Sequence, residues 1–478
     1  MRVRVWKLTL KIAVEGCSHG ELDRIYEEIL EHEQVTSQRV DLVLLCGDIQ
    51  AIRNEADLAS LAVPNKFKRL GDFHRYYSGE KTAPILTLVI GGNHEASNYL
   101  WELYVTCWLT NSYYGGWIAP NIYYMGAAGC VNVEGITIAA ASGIYKQRDY
   151  SRGRDERQPY SPDDLRSVYH TRQFDITKLG LLNRPDIFMS HDWPNGIEQF
   201  GDVESLIRCK PFFREEIQTS TLGSPPLQAL LHDLKPRYWF AAHLHIRFPA
   251  TVLHEAVPLK TSFHETNPES ILLGDDDDEC IGPSRTTEFL ALSKCASRNE
   301  YLHVCIHVVL TQYFDMPSSG DGSLREQTAQ RPTLTLEFNR DWLAITRATH
   351  KYFTLRRRQT PMPSPRDPAL LASVKQELDA IDDKARNMGP QFFRIRHTQP
   401  FVRTAPTQKE VNSSPVSGYI FSNPQTEAFC QLAGIPNMIN TRIPCSAQIK
   451  NDNTNASEEI ARIRAMAHER KRKRRTGP

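Results

Sequence analysis

Residues of the types that bind metal ions follow five short apolar runs in the first half of the chain. In α/β sheets, ligands bind outside the carboxyl ends of the strands. If these runs are neighbouring strands, the polar residues that follow them converge on one crevice and predict a metal site. They are Cys17 and His19; Asp48; Asn93, His94 and Glu95; His191 and Asp192; and His243 and His245.

Each of these residues also has a purely structural interpretation. A lone aspartate after a strand, such as Asp48, is usually a turn or a helix cap. A lone cysteine such as Cys17 is more often a small buried hydrophobe. His243 and His245 place two imidazoles on one face of a strand, which favours a metal. All five clusters together indicate a metal site much more strongly than any one of them does.

The residue types define the chemistry of such a site. One carboxylate can bridge two divalent ions, and imidazoles with an amide oxygen complete each coordination shell without adding charge. The centre then keeps a net positive charge, which suits a phosphate substrate. Two ions clamp an in-line displacement at phosphorus and generate hydroxide at neutral pH.

Over the first 260 residues or so, short apolar runs alternate with helical or loop segments, which predicts an α/β domain. These are the elements that must position the candidate ligands. The chain has 478 residues, so we expect two domains or one domain with long appendages. This alternating pattern ends near His264, and the stretch GDDDDEC at 274–280 predicts a solvated linker.

Composition excludes several classes of function. Hydrophobic residues are 40% and charged residues 24% of the chain, as in ordinary soluble proteins. The net charge is +1, so no global field favours nucleic acid. No apolar run is long enough to span a membrane, so no membrane partner is expected. The ten cysteines form no CxxC pair, which favours a reducing compartment.

The order of the motifs resembles the calcineurin-like metallophosphoesterase superfamily, whose signature is D-x-H, GD, GNHE, a lone His and GHxH. This chain has C-S-H, G-D, G-N-H-E, S-H-D and A-H-L-H in that order. Longer strings resemble the RNA lariat debranching enzyme family within it, densely over residues 11–260 and in patches from 285 to 440. They include GCSHGELDRIY, IGGNHEASNYL, SHDWP, LKPRYWFAAHLH, LEFNRDWLAITRA and FFRIRHTQPF.

The resemblance implies a fold and a domain organisation. The fold would be an α/β metallophosphoesterase sandwich of two mixed β-sheets flanked by helices, followed by a smaller α+β C-terminal domain and a disordered tail. The expected boundaries are 1–260 for the catalytic domain, with a lariat-recognition loop at 143–174; 261–286 for an acidic linker; 287–445 for the C-terminal domain, with disordered insertions near 314–332 and 356–370; and 446–478 for a basic tail.

The resemblance also implies the role of each matched residue. Asp48 would bridge the two metals. Cys17, His19 and His245 would complete the first metal site; Asn93, His191 and His243 would complete the second. His94 would be the general acid. Metal-activated hydroxide would hydrolyse the 2′–5′ phosphodiester at the branch point of excised intron lariats, in mRNA processing and intron turnover.

Cys17 is informative about the metal. Superfamily members of other specificities have Asp at the matching position, and a thiolate is a softer ligand than a carboxylate. We therefore expect two divalent ions, of Fe²⁺, Zn²⁺ or Mn²⁺, with the first site shifted towards Zn²⁺ or Fe²⁺.

The expected partner is intron lariat RNA, with no DNA. The recognition loop is rich in Arg and Tyr, which meet phosphates and stack on splayed bases. Its acidic residues dilute this basic character, so a solvated loop is the alternative. The candidate RNA-binding residues are Lys146, Arg154, Arg166, Tyr169 and His170 in the loop, and Arg53, Asn54, Tyr76 and Tyr77 outside it, for which loop packing is the alternative.

Two other functions stay open. The same centre could act as a metallophosphatase on a phosphomonoester, in a phosphoprotein or a small molecule. A scaffold without metals is disfavoured because the ligand set is intact. The run KRKRR at 471–475 is either a solvated tail or a nuclear address, and an intron-processing role favours the nucleus.

Overall fold

The computed structural model describes residues 4–103, 115–255, 285–295, 300–314, 331, 333–389, 391–413, 421 and 423–435. The predicted basic tail, the acidic linker up to residue 284 and nearly all of the insertion near 314–332 lie outside these ranges.

The described strands are β1 (Arg4–Glu15), β2 (Leu42–Leu45), β3 (Leu86–Val89), β4 (Gly116–Ala119), β5 (Ile122–Tyr124), β6 (Ala128–Val133), β7 (Ile136–Ala141), β8 (Ile187–Ser190), β9 (Tyr238–Ala241), β10 (Phe248–His254), β11 (Arg285–Ala291), β12 (Leu302–Phe314) and β13 (Leu336–Phe338).

The described α-helices are α1 (Leu22–Thr36), α2 (Phe73–Ser78), α3 (Ser97–Glu102), α4 (Gln147–Tyr150), α5 (Pro162–Ser167), α6 (Gln173–Leu179), α7 (Val203–Cys209), α8 (Phe213–Gln218), α9 (Pro225–Leu234), α10 (Arg340–Thr349), α11 (Pro368–Met388), α12 (Ile395–Thr398), α13 (Gln408–Ser413) and α14 (Pro424–Ala433). Short 3₁₀ helices cover Glu55–Ser60, Asn65–Phe67, Ile197–Phe200 and His350–Tyr352.

The strands form two mixed sheets. The first has six strands in the order β12-β1-β2-β3-β5-β4, and β1, β2, β3 and β5 run parallel to one another. The second has seven strands in the order β10-β11-β9-β8-β7-β6-β13, with a parallel centre from β11 to β7. Strands β2 and β3 are entirely buried, as expected for parallel strands covered on both faces.

Alternate residues along the strands divide the core into layers. Ile12 and Val14 of β1 and Ile138 of β7 belong to one cluster, which fills the space between the sheets. Ala13 faces the other way and packs with α1 residues such as Ile25. The second sheet has a corresponding outer cluster beneath α6, α9 and α10. The predicted sandwich of two mixed sheets flanked by helices is therefore confirmed.

Strands from the C-terminal part of the chain complete both sheets. In the first sheet β12 pairs antiparallel with β1, and in the second β11 lies between β9 and β10 while β13 pairs with β6. The predicted boundary between residues 260 and 287 therefore separates two segments that share the same sheets. Residues 4–10 form the first half of β1 and pair with β12.

The segment 356–370 is ordered, which corrects the expectation of a disordered insertion. The buried side chain of Gln359 donates hydrogen bonds to the carbonyl oxygens of Tyr352 and Thr360, at 2.7 and 2.9 Å. Asp367 then caps α11 by accepting a hydrogen bond from the Leu370 N–H group. Between these two points the segment is an irregular connection whose ends are held by hydrogen bonds. Among the described residues, no helix is both long and apolar enough to cross a membrane.

Candidate metal centre

The five predicted clusters lie at the carboxyl ends of five strands. Cys17 and His19 follow β1, and Asp48 follows β2. The remaining predicted residues follow three other parallel strands: Asn93 and His94 come after β3, His191 after β8, and His243 and His245 after β9. The site therefore lies where the carboxyl ends of strands from both sheets meet, as the sequence predicts.

The first half of the site contains a thiol, two imidazoles and a carboxylate. One ligand atom from each of Cys17, His19, Asp48 and His245 lies within 4.8 Å of all the others. The Nε2 atoms of His19 and His245 are 3.2 Å apart, and His19 Nε2 is 3.8 Å from Asp48 Oδ2. Within the described residues, this is the group of ligand side chains compact enough to hold a metal ion.

The second half shares Asp48. His191 Nε2 lies 3.5 Å from Asp48 Oδ1 and 3.2 Å from Asn93 Oδ1, and the rings of His191 and His243 are 5.1 Å apart. His191 Nδ1 is 2.7 Å from the Cys46 carbonyl oxygen, which can only accept, so Nδ1 carries the proton. The Nε2 lone pair is thus left for a metal.

This donor set fits two divalent cations. The seven side chains predicted as ligands converge, and the Asp48 carboxylate has one oxygen towards each half. Neutral nitrogens, one thiol, one amide and one carboxylate are the ligands expected for borderline transition metals rather than for Mg²⁺ or Ca²⁺. Ligation by each residue stays a prediction.

Burial sets the protonation of these ligands. It lowers the pKa of His19 and His245 to about 4 and that of His243 to about 3, so all three imidazoles are neutral at pH 7. Burial alone would raise the pKa of Asp48, but electrostatic interaction with the imidazoles of His191, His94 and His19 holds it below the usual value. Neutral imidazoles and an ionised carboxylate are the forms that bind metals.

Several ligands have backbones in the left-handed region. The φ angles are +46° at His19, +54° at Asp48, +61° at His243 and +51° at His245. Such conformations cost on the order of 1 kcal/mol or more each and persist where the surrounding structure imposes them. This concentration of strain at the predicted ligands is independent support for a functional site.

Neighbouring loops brace the ligands. Glu95 accepts hydrogen bonds from the backbone N–H groups of Ile49, Gln50 and Gly92, so it joins the loop after β2 to the loop after β3. Asp192 accepts from the N–H groups of Tyr145 and Trp193. Both carboxyl groups therefore fix loop geometry through the backbone.

His94 adjoins Asp48 through both its backbone and its side chain. Its backbone N–H donates to Asp48 Oδ1 at 2.8 Å, and its Nδ1 is 3.9 Å from Asp48 Oδ2. The side chain is 30% exposed, whereas that of Asp48 is 1% exposed. The imidazole thus stands at the edge of the centre with access to solvent.

Sequence reasoning missed the C-terminal residues that hold Cys17. The Cys17 N–H group donates to Ser293 O, the Cys295 N–H group donates to Cys17 O, and Cys17 pairs with Lys294 in a parallel bridge. The exposed Lys294 contributes positive charge that further lowers the pKa of His19 and His245. No motif signals this contact, because the partner segment is more than 270 residues away in the sequence.

Arg53 and Asn54 are buried, and their side chains form ion pairs and hydrogen bonds within the protein. Arg53 is 1% exposed and forms ion pairs with Asp57 at 2.9 Å and Glu102 at 2.8 Å. Asn54 donates to the carbonyl oxygen of Pro406 at 2.7 Å. Their burial argues against the predicted contact with RNA and supports the loop-packing alternative.

Tyr76 and Tyr77 are also buried and hydrogen-bonded within the protein. The Tyr76 hydroxyl donates to Asp23 at 2.8 Å. The Tyr77 hydroxyl donates to Ala405 O at 2.9 Å and accepts from two backbone N–H groups of the same C-terminal segment. Both rings are buried, so these tyrosines join segments of the protein and do not present a stacking surface to RNA.

Two of the predicted loop residues are also internal. Arg154 is buried and pairs with Asp175 at 2.9 Å, and His170 is buried with its Nδ1 2.7 Å from Asp149 Oδ2. Their burial argues against direct contact with RNA; they stabilise the recognition loop.

Lys146, Arg166 and Tyr169 are accessible. Lys146 and Arg166 are exposed, and Tyr169 is half-buried. Tyr169 lines a cavity of about 40 Å³ together with Gly92 and Glu95, beside the metal centre. These three residues stay the loop's candidates for contact with RNA.

The fold and the site define a calcineurin-like phosphoesterase. The family model for calcineurin-like phosphoesterases matches residues 10–247, and this class of enzyme uses divalent metals. A second family model, the C-terminal domain of lariat debranching enzymes, matches residues 284–438.

Curated relatives identify the family within this class. The chain is 39% identical over 460 residues to the lariat debranching enzyme of Arabidopsis thaliana, covering 94% of each chain. It is 40% identical over 434 residues to lariat debranching enzyme A of Xenopus laevis, covering 89% of this chain and 70% of the relative. The human lariat debranching enzyme is 43% identical over 355 residues, covering 74% and 56%. The chain therefore belongs to the lariat debranching enzyme family.

Proposed function

We propose that this protein hydrolyses the 2′–5′ phosphodiester at the branch of intron lariats and releases linear RNA. It is a metal-dependent hydrolase of the phosphoesterase class. The observation that carries the proposal is the convergence of six other predicted ligand side chains around Asp48, in a chain that matches a debranching enzyme over 94% of its length.

The predicted ligands would form two coordination shells that share Asp48. Asp48, with one carboxylate oxygen towards each half of the site, would hold both ions; Cys17, His19 and His245 would complete one shell and Asn93, His191 and His243 the other. Bound divalent ions supply Lewis-acid polarisation of the phosphate and make water a stronger acid. The neutral imidazoles leave the centre positively charged, which attracts the phosphodiester.

His94 would donate the proton that the leaving 2′ oxygen requires. Its imidazole is partly exposed and is fixed to the centre through its own backbone N–H bond to Asp48. A positioned general acid contributes typically about 10² to 10⁴ in rate.

A competition assay tests the substrate class. Branched RNA with one 2′–5′ linkage, linear RNA of the same sequence and a phosphoserine peptide are offered to the metal-loaded protein. Cleavage of the 2′–5′ bond alone supports the proposal. Faster release of phosphate from the peptide would instead show that the protein is a phosphomonoesterase.

We propose Zn²⁺, Fe²⁺ or Mn²⁺ as the resident metals. The proposal is supported by the buried thiol of Cys17, whose Sγ also accepts the His243 N–H group at 3.2 Å. Burial raises the pKa of this thiol, so binding of a soft metal is what would favour the thiolate. Elemental analysis of protein purified under reducing and oxidising conditions tests this, and two Mg²⁺ ions per chain would contradict it.

We also propose that the protein acts in the nucleus, in mRNA processing. The basic run at 471–475 and the intron substrate support this proposal. Deleting the run from a fluorescent fusion is expected to shift the protein towards the cytoplasm, and an unchanged distribution would contradict it.

A further inference from the structure

Three consecutive arginines lie on an ordered strap beside the recognition loop. The strap, residues 354–358, belongs to the C-terminal part of the chain, and its Arg356, Arg357 and Arg358 are all exposed. Three adjacent guanidinium groups give this part of the surface a local positive potential, which attracts anions such as phosphate.

Backbone hydrogen bonds fix the strap against the loop. The N–H group of Gly153 donates to Arg357 O at 3.1 Å and that of Arg154 donates to Thr354 O at 3.0 Å. Arg152 and Arg358 form an antiparallel bridge. The backbones of the strap and the loop approach so closely that a Cβ at position 153 would lie 2.1 Å from Arg356 O. The three arginines are therefore held in a defined place.

Apolar contacts connect the strap to the metal centre. Phe353 and Leu355 pack in one cluster with Trp101, Val168 and the half-buried Tyr169. Trp101 belongs to α3, the helix that follows the GNHE motif, and Tyr169 lines the cavity beside Glu95. The strap, α3 and the recognition loop thus pack on one apolar cluster.

The acidic residues of the recognition loop are mostly engaged within the loop. Asp149 and Asp155 both pair with Arg152, at 2.6 and 2.8 Å. Glu156 pairs with Arg172 in the buried interior. Asp164 closes the capping box of α5, which leaves Asp163 as the exposed carboxylate. The basic residues that face solvent are consequently less diluted than the sequence suggests.

We propose that Arg356, Arg357 and Arg358, with Lys146 and Arg166 of the loop, form a surface that binds phosphates of the RNA strands leaving the branch. The proposal rests on the debranching function proposed above and gives the C-terminal part of the chain a share in substrate binding. Guanidinium groups on an ordered backbone bind phosphates without sequence preference.

Replacing the three arginines by alanine tests the proposal in the full-length, metal-loaded protein. Each phosphate contact contributes about 0.7 to the salt dependence of binding to single-stranded RNA. Between 50 and 200 mM salt, the wild type should therefore lose about 20-fold more affinity for branched RNA than the R356A/R357A/R358A variant. The Michaelis constant should rise about tenfold or more at low salt, with kcat unchanged.

Two matched variants separate charge from structure. R356K/R357K/R358K keeps the positive charge and should retain the salt dependence of the wild type. R208A/R214A/K375A removes three charges from exposed positions on other elements and should behave as the wild type. A fall in kcat without a change in the Michaelis constant, or an equal effect of the control variant, would overturn the proposal.

The two proposals fail in distinguishable ways. If the wild type does not prefer branched to linear RNA, the debranching function itself is wrong. If the wild type cleaves branched RNA and the alanine variant matches it at every salt concentration, the debranching function stands and the strap has no part in binding.

Discussion

A methyl group added at position 92 should disable the metal centre. A Cβ on Gly92 would lie 2.1 Å from Asp48 Oδ1, 2.6 Å from Asp48 N and 2.7 Å from His191 Cε1. Ordinary contact begins near 3.4 Å, so the Asp48 carboxylate would have to move by more than about 1 Å. A misplacement of about 1 Å can cost about 10² in rate.

The neighbouring glycine provides the control. A Cβ on Gly91 would meet its nearest atom, Tyr124 Oη, at 3.5 Å, which is ordinary contact. We therefore expect Gly92→Ala to lose at least about 100-fold in kcat and to bind less metal, whereas Gly91→Ala keeps both within about threefold.

Single-turnover cleavage of branched RNA and elemental analysis of the purified variants measure these effects. Circular dichroism establishes that both variants are folded. Wild-type cleavage and metal content in Gly92→Ala would refute the inference that Asp48 is packed against this loop. An equal loss in Gly91→Ala would show that any bulk in the loop is harmful, whatever its distance from the carboxylate.

Three further predictions follow from particular side chains. His94→Gln should reduce kcat by about 10² to 10⁴ while elemental analysis finds the same metal content, since His94 acts on the leaving oxygen; a parallel loss of metal would contradict this. Cys17→Asp should move metal preference in competition dialysis from Zn²⁺ towards Mn²⁺ or Mg²⁺, and an unchanged preference would contradict the role of the thiol. Burial lowers the pKa of Lys178 from its ordinary value of 10.5 to about 8 in the folded protein. Between these two pH values the unfolded state therefore binds more protons than the folded state. The free energy of unfolding should rise with pH across that window. Lys178→Met should raise stability at pH 7 by up to about 3 kcal/mol and remove that rise, as measured by denaturant unfolding at pH 7 and pH 10; an identical rise in both proteins would contradict it.

The ligand set could be predicted from the sequence because its signal is local. Each ligand follows directly on an apolar run, and the carboxyl ends of parallel strands meet at one edge. Asp48 and His191 are 143 positions apart, yet both follow short buried strands, and the structure places their side chains 3.5 Å apart. The fold class follows from the same pattern.

The contacts of the candidate RNA-binding residues could not be predicted in this way. Arg53 is followed by a polar stretch that suggests an open loop, but its partner Glu102 lies 49 residues further along and Thr404 lies 351 residues further along. Long-range pairs of this kind depend on how distant segments pack. The pairing of β12 with β1 was hidden for the same reason, because strand partners leave no trace in local periodicity.

Metal-dependent debranching can be measured by the cleavage of one branched RNA before and after removal of metal. Chelated protein should be inactive, and restoring Zn²⁺, Fe²⁺ or Mn²⁺ should recover cleavage. The 2′–5′ bond alone should be broken, leaving a linear RNA with a 5′ phosphate. Cleavage that persists in the chelated protein, or that occurs equally at 3′–5′ bonds, would contradict metal-dependent debranching.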